Sequence, residues 1–251
     1  MRCLAVSISL FFSTMLFGQT PPSLQKSQVI LPQVAVSFHK PFGDLEERFG
    51  NSAAISQSVI WKFKNDFFVN ITGAWIVGNQ VKNKNLFDGI LGPSGQIIDN
   101  NGNFSIVEVN QRGFYGTADV GFLWAKFRQY RHSGFYSSLG LGYLQHKINV
   151  QAPEATVPQL NGEYLQGYDR LTGGTAIRIM HGVLFLSNNR RANFNMCIET
   201  LFGNTKSLRS YNFYPYKKES NVRKDILFGG HIGIVLPIFL KDKNEEYFYL
   251  D

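Results

Sequence analysis

After its first residues the chain settles into runs where apolar and polar or small residues alternate one by one, the period of a β-strand. The first run is 33–42. In 53–64, Ile55, Val59, Trp61 and Phe63 share one face and Ser56, Ser58 and Lys62 the other, with Gln57 interrupting the apolar side. In 66–78, Phe67, Val69, Ile71, Trp75 and Val77 alternate with Phe68, Asn70, Thr72, Ala74 and Ile76. The same rhythm returns in 112–127, 134–148, 174–187, 192–204 and 224–239. Several of these runs exceed the five or six residues usual in globular sheets and match the roughly 9–11 residues of a tilted strand crossing a bilayer.

The connections sharpen the picture because they alternate in length. Short turns fall at Lys64-Asn65-Asp66, at 128–133 and at 187–191; long connections fall at 43–52, 79–111, 149–173 and 205–223. That asymmetry belongs to outer-membrane barrels, with short periplasmic turns and long outer loops. An even number of crossings returns both termini to the periplasmic side. The fold class expected is all-β: an eight-stranded antiparallel up-and-down transmembrane barrel with long extracellular loops. In such a barrel the Phe, Trp, Ile, Leu and Val face meets lipid, and the small polar face fills the lumen. Trp61, Trp75, Trp124, Phe63 and Tyr143 are expected near strand ends, as interfacial girdles. Within the second long loop, 84–90 reads as a short helix and Asp99-Asn100-Asn101-Gly102 as the turn of a hairpin.

The start of the chain carries a different signal. Arg2, the apolar stretch from Leu4 to Phe17 and the small Gly18 before Gln19 have the grammar of a secretory signal peptide. The expected organisation is signal peptide 1–18, outer-membrane barrel 19–240 and periplasmic tail 241–251. Composition agrees with a membrane-facing β protein. Only 17% of the 251 residues are charged, against roughly 25% in an average soluble domain, and 14% are aromatic. The two cysteines cannot build a disulfide scaffold or a four-ligand zinc site, and Cys3 leaves with the signal peptide. Cys197 is expected as inward packing.

Alternation places five ionisable residues, Lys62, Asp119, Arg178, Glu199 and His231, on the inward face. Charges inside so narrow a barrel must be paired, so these five are expected to form a lumen charge network that plugs the barrel; a gated ion path is the alternative. No cofactor-binding or metal-ligating motif is present, and no catalytic residue is assigned. The best set for lipid A acyl chemistry would be His146 with Ser137 or Ser138 and Glu163, at a spacing that is not diagnostic. The net charge of +7 comes from basic clusters at strand ends and in loops. They suit lipid phosphates better than nucleic acid, which is not an expected partner of an exported protein. Tyr164, Tyr168, Arg170, Tyr211, Tyr214 and Tyr216 crowd two long loops. Such a composition suits either a protein contact or loops packed as a cap over the barrel mouth.

The segments 43–50 (GDLEERFG), 112–116 (RGFYG), 142–148 (GYLQHKI), 156–171 and the last strand 229–239 (GGHIGIVLPIF) carry a resemblance. The chain resembles a family of small eight-stranded outer-membrane barrels in the Bacteroidota, broadly similar to the OmpA and OmpX barrels. Relatives of this shape include accessory barrels of the type IX secretion system, of the PorT and PorG kinds, and partners of barrel-assembly machinery. The resemblance implies a non-enzymatic accessory or scaffold subunit of an outer-membrane secretion or assembly complex, bathed in outer-membrane lipid and lipopolysaccharide and touching protein partners. A small passive pore and a lipid A-modifying enzyme are the other functions considered.

Overall fold

The computed structural model describes residues 28–83, 85–127, 130–152, 157–187, 193–213 and 219–240. Eight long strands run β1 Val29–Gly43, β2 Ser52–Lys62, β3 Phe67–Gly78, β4 Glu108–Phe127, β5 Tyr130–Gln151, β6 Thr172–Leu186, β7 Asn193–Ser207 and β8 Arg223–Val235. Each pairs antiparallel with its neighbour in sequence, and β1 pairs with β8 from Gln33↔Val235 to Gly43↔Asp225. The sheet therefore closes into an eight-stranded barrel without a free edge. No helix among the described residues is long and apolar enough to cross a membrane, which says nothing of strands. The signal peptide 1–18 and the tail 241–251 lie outside the described residues.

The strand ends differ from the periodicity in an instructive way. The β4–β5 hairpin extends beyond 112–127 and 134–148, with ladder pairs continuing to Glu108↔Gln151. These outer residues are mostly polar, so alternation gives no sign of them although their backbones pair. The last strand stops at Val235, short of 239, because Pro237 offers no N–H to a ladder; Ile238–Phe239 rejoins β1 at Val29↔Phe239. The segment 85–90 forms turns, not the expected helix. A hairpin, Ile97–Ile98 with Phe104–Ser105, does form. Asp99 Oδ1 accepts from the backbone N–H of Asn101 and Asn103, both at 2.8 Å, and Gly102 takes φ 80°.

The outer wall is an apolar belt. Phe38, Ile71, Leu141 and Ile234 are each about two-thirds exposed or more (68, 66, 68 and 78%). Around the turn end, Trp61 meets Phe63, Phe67 meets Phe122, and Trp124 stacks on Phe135 with centroids 5.6 Å apart. A register shift between Leu123 and Ala125 accompanies Trp124, whose Nε1 donates to Ser137 Oγ at 3.1 Å. Tyr143 departs from the girdle expectation: it lies well inside β5, opposite Gly116 and Thr175, and faces Phe114.

The lumen has three layers. The turn-end layer is apolar, with Leu31, Ile60, Phe68, Leu123, Met180 and Leu184 buried together, and Cys197 packs there too. The middle is polar and charged. The loop-end layer is apolar again and includes Phe49, Ile76, Leu144, Ile148, Leu201 and Leu227. The sequence pattern had cast the whole inward face as polar; large apolar residues at its two ends seal what the charged middle leaves.

Glycines make the middle layer fit. Asp119 pairs with Gly140, which pairs with Arg178; Glu199 pairs with Gly229, which pairs with His39. In both rows an empty position separates two long polar side chains, so they meet across the intervening strand. A Cβ on Gly140 would stand 2.0 Å from Asp119 Oδ1, and one on Gly229 1.9 Å from the Phe38 carbonyl oxygen; Gly230 next door has open space. Gly229→Ala is expected to lower barrel stability by about 1–3 kcal/mol through overpacking, read as a lower urea midpoint in micelles. Gly230→Ala should leave that midpoint unchanged.

Candidate functional site

Arg178, on β6, crosses the lumen and is 1% exposed. Its Nε and Nη2 donate to Glu199 Oε2 at 2.9 and 2.5 Å, a two-pronged contact from one edge of the guanidinium. On the other side Nη1 donates to Thr72 Oγ1 at 2.9 Å and approaches Asp119 Oδ2 at 3.5 Å. Asn70 Nδ2 and Thr117 Oγ1 donate to the same Asp119 oxygen at 3.1 and 3.3 Å. Glu199 Oε1 is met by His39 Nε2 at 2.9 Å, and His231 Nδ1 lies 3.8 Å from it. The chain continues from His231 to Gln33 at 2.6 Å, from Asn195 Nδ2 to Gln33 Oε1 at 3.0 Å and from Tyr136 Oη to Asn195 Oδ1 at 2.8 Å. One connected set of side chains thus ties opposite walls of the barrel together.

Four of the five inward ionisable residues named from the sequence, Asp119, Arg178, Glu199 and His231, are in this set. Lys62 is buried but apart from it. It sits at the turn end, where its Nζ donates to Asp66 Oδ1 at 2.9 Å, and Lys126 pairs with the same carboxylate. Burial pushes Asp66 up, but hydrogen bonds from Lys126 and Lys62 outweigh it and hold the carboxyl below its usual range. The reason for the separation is height: Lys62 ends β2, whereas the network occupies the barrel's middle. Neither His39 nor Gln33 is among the five lumen residues read from the sequence, although alternation in 33–42 puts both on the inward face with Ser37.

The loop end is closed by contacts among all four loops. A one-turn helix, Asp44–Arg48, folds inward and buries Leu45 and Phe49. Phe49 lies edge-on to His146 at 5.5 Å and pairs with Val81 of the second loop. Arg48 Nη2 meets both oxygens of Glu219 in the fourth loop at 2.5 Å, and Nη1 donates to Thr172 at 3.0 Å. Arg209 Nε donates to Asp169 Oδ1 at 2.9 Å, joining fourth loop to third. Phe87 packs on Tyr168, joining second to third. Beneath them His146 Nε2 bonds Asp225 Oδ2 at 2.8 Å, and Thr205 donates to the same oxygen at 2.5 Å.

This geometry revises the contact set read from the loops. Tyr168 and Arg170 are buried, 5 and 8% exposed, and belong to the interior of the cap. Tyr168 packs on Phe213 at 5.2 Å, and Arg170 holds a left-handed backbone at φ 49°. Tyr164 and Tyr211 are exposed and flank Phe213. Tyr214 and Tyr216 lie outside the described residues. The acyl-chemistry set is not brought together either. His146 is buried against Asp225, Ser138 faces inward, Ser137 faces outward and bonds His181 at 2.9 Å, and Glu163 is an exposed loop residue. No group of three His, Cys, Asp or Glu among the described residues is placed to hold a metal ion.

Neither any family model nor any curated protein matches the chain. Among solved structures, Ail of Yersinia pestis aligns at 13% identity over 84% of this chain and 100% of its own, with a TM-score of 0.39. Neisserial surface protein A aligns at 9% identity over 82% and 96%, with a TM-score of 0.38. The N-terminal β-barrel domain of Pseudomonas aeruginosa OprF gives 9%, 83% and 97%, with 0.33. Likenesses this low add nothing to the barrel, which rests on its own closed strand register.

Two outcomes test the site. Arg178→Met strands two buried carboxylates and is expected to cost about 3–5 kcal/mol of stability, read by urea unfolding in micelles. Adding Asp119→Asn and Glu199→Gln to it should recover part of that loss. In the cap, burial raises the Glu219 carboxyl, but the Arg48 guanidinium beside it prevails and holds it below its ordinary 4.5. A depressed carboxylate stabilises fully above its unfolded value and loses that contribution as pH falls through its folded one. Protection of the loop amides, taken relative to the intrinsic exchange rate at each pH, should therefore fall on acidification below pH 4.5. Glu219→Gln should show fast exchange already at neutral pH.

Proposed function

We propose that this chain is an integral outer-membrane barrel that conducts nothing and works as a non-catalytic accessory or scaffold subunit, through the surface of its loop cap. The observation that carries the reading is the Arg178–Glu199–Asp119 network spanning a lumen whose mouth is closed by four interlocked loops. A transport pathway would have to break several buried ion pairs, whereas a rigid capped barrel presents a fixed surface. The exposed apolar belt supports placement in a bilayer, since a soluble monomer rarely leaves so much contiguous apolar wall in water. Four long connections at one end and short turns at the other support loops outward and turns toward the periplasm. The resemblance to accessory barrels of secretion and assembly machines supports the role in a larger complex. The exposed Tyr164 and Tyr211, flanking the half-buried Phe213, supply rigid contact area of the kind protein interfaces use.

Two experiments test this reading. In planar bilayers the purified protein should give no stable current steps; a steady nanosiemens-scale pore would sink the plugged lumen. Mild detergent extraction of a tagged copy should recover a stoichiometric partner that Tyr164→Ser with Tyr211→Ser weakens. Repeated extraction with no partner would leave a stand-alone barrel.

A further inference from the structure

The outer wall near the loop end carries a row of residues that no part of the lumen or cap explains. Phe38 pairs with Ala53, Ala53 with Val77, Val77 with Arg112 and Arg112 with Lys147, across β1 to β5. All five sit on outward-facing ladder positions. Arg112 and Lys147 are therefore like charges directly opposite each other, an arrangement that is unfavourable by itself. Neither forms an ion pair among the described residues; Arg112 Nη1 donates only to the Gln111 carbonyl, at 3.0 Å. A groove of about 460 Å³ runs beside Arg112, lined by Phe38, Ala53, Val77 and Arg112, with Asn79 and Asn110 among its polar groups. Ala53 is the small residue between two larger apolar ones and lines the groove with them. Two residues further from the loop end, Trp75 pairs with Phe114 in the apolar belt. The groove thus joins an apolar wall on one side to Arg112 and side-chain amides on the other, with Lys147 outside its lining as the cross-strand neighbour of Arg112.

We infer that this groove seats a phosphorylated lipid, its phosphate between Arg112 and Lys147 and an acyl chain over Ala53 between Phe38 and Val77. A phosphate relieves the repulsion between the two cations, and a guanidinium is shaped to meet two of its oxygens at once. The apolar lining would be idle for a free anion and suits an acyl chain. Lys40, Lys206 and Lys224 also face outward near the loop end, on β1, β7 and β8, so the local field there favours anionic headgroups. The inference rests on the outer-membrane reading, which puts the loop end among lipid headgroups.

The test is native mass spectrometry of the purified full-length protein in micelles. The probes are diphosphoryl lipid A, the same lipid stripped of phosphate, and inorganic phosphate. The wild type should retain the diphosphoryl lipid, and Arg112→Gln with Lys147→Gln should weaken retention by about tenfold or more. Ala53→Phe should weaken it similarly with the charge intact, because it fills the groove. Retention that is unchanged in both variants, or equal for the stripped lipid, would overturn the site. Displacement by inorganic phosphate with no effect of Ala53→Phe would reduce it to an anion site and also overturn the lipid. A heat-dependent shift in gel mobility confirms that each variant is folded. Membrane fractionation reads the location separately: a chain absent from the outer membrane that still retains lipid in micelles would refute the location and leave the site standing.

Discussion

Everything in the barrel's middle depends on the Arg178–Glu199 contact. An eight-stranded lumen has room for side chains and little else, so a guanidinium placed there has no access to bulk water. It must find its counter-charges within the reach of its own stem. Glu199 on the adjacent strand supplies one, at 2.5 Å, and Asp119 across Gly140 supplies the other, at 3.5 Å. Each carboxylate then needs further donors, and Thr117, Asn70, His39 and His231 are recruited around them. The polar middle layer is the set of groups required to keep one buried cation satisfied.

That requirement reaches outward to the backbone. Two of the contacts, Arg178 with Asp119 and Glu199 with His39, run between strands that are not neighbours, and they close only because Gly140 and Gly229 stand between them. The apolar layers above and below follow for a related reason. With the Arg178 network confined to the middle, bulky side chains fill most of both ends, and those at the loop end give the inturned Phe49 a surface to pack on. Cap and lumen are therefore one packed body, joined through Phe49 and His146.

Much of this architecture was legible in the sequence, because strand alternation reports which face each residue takes, and ladder pairing preserves that parity over the whole barrel. Asp119, Arg178, Glu199 and His231 were found that way. Parity says nothing of height along the axis, which is why Lys62 was grouped with residues it does not touch. Polar strand extensions such as Glu108 to Gln111 carry no alternation and were invisible. The cap was least readable: Arg48 and Glu219 are separated by 171 positions, and no local pattern announces their meeting. Tyr168 looked like a contact residue because burial by other loops leaves no mark on composition.

The closing seam between β1 and β8 has a consequence for how the chain assembles. His39 and His231, which flank Glu199, lie on the first and last strands, and these meet only when the ends of the chain come together. Contacts that distant in sequence form late. Until they form, Glu199 lacks part of its donor set, and an open sheet must keep water at that carboxylate. Dehydration of the lumen and completion of the circle are thereby the same event, so a sheet short of a strand carries a wet interior that resists entering the hydrocarbon phase.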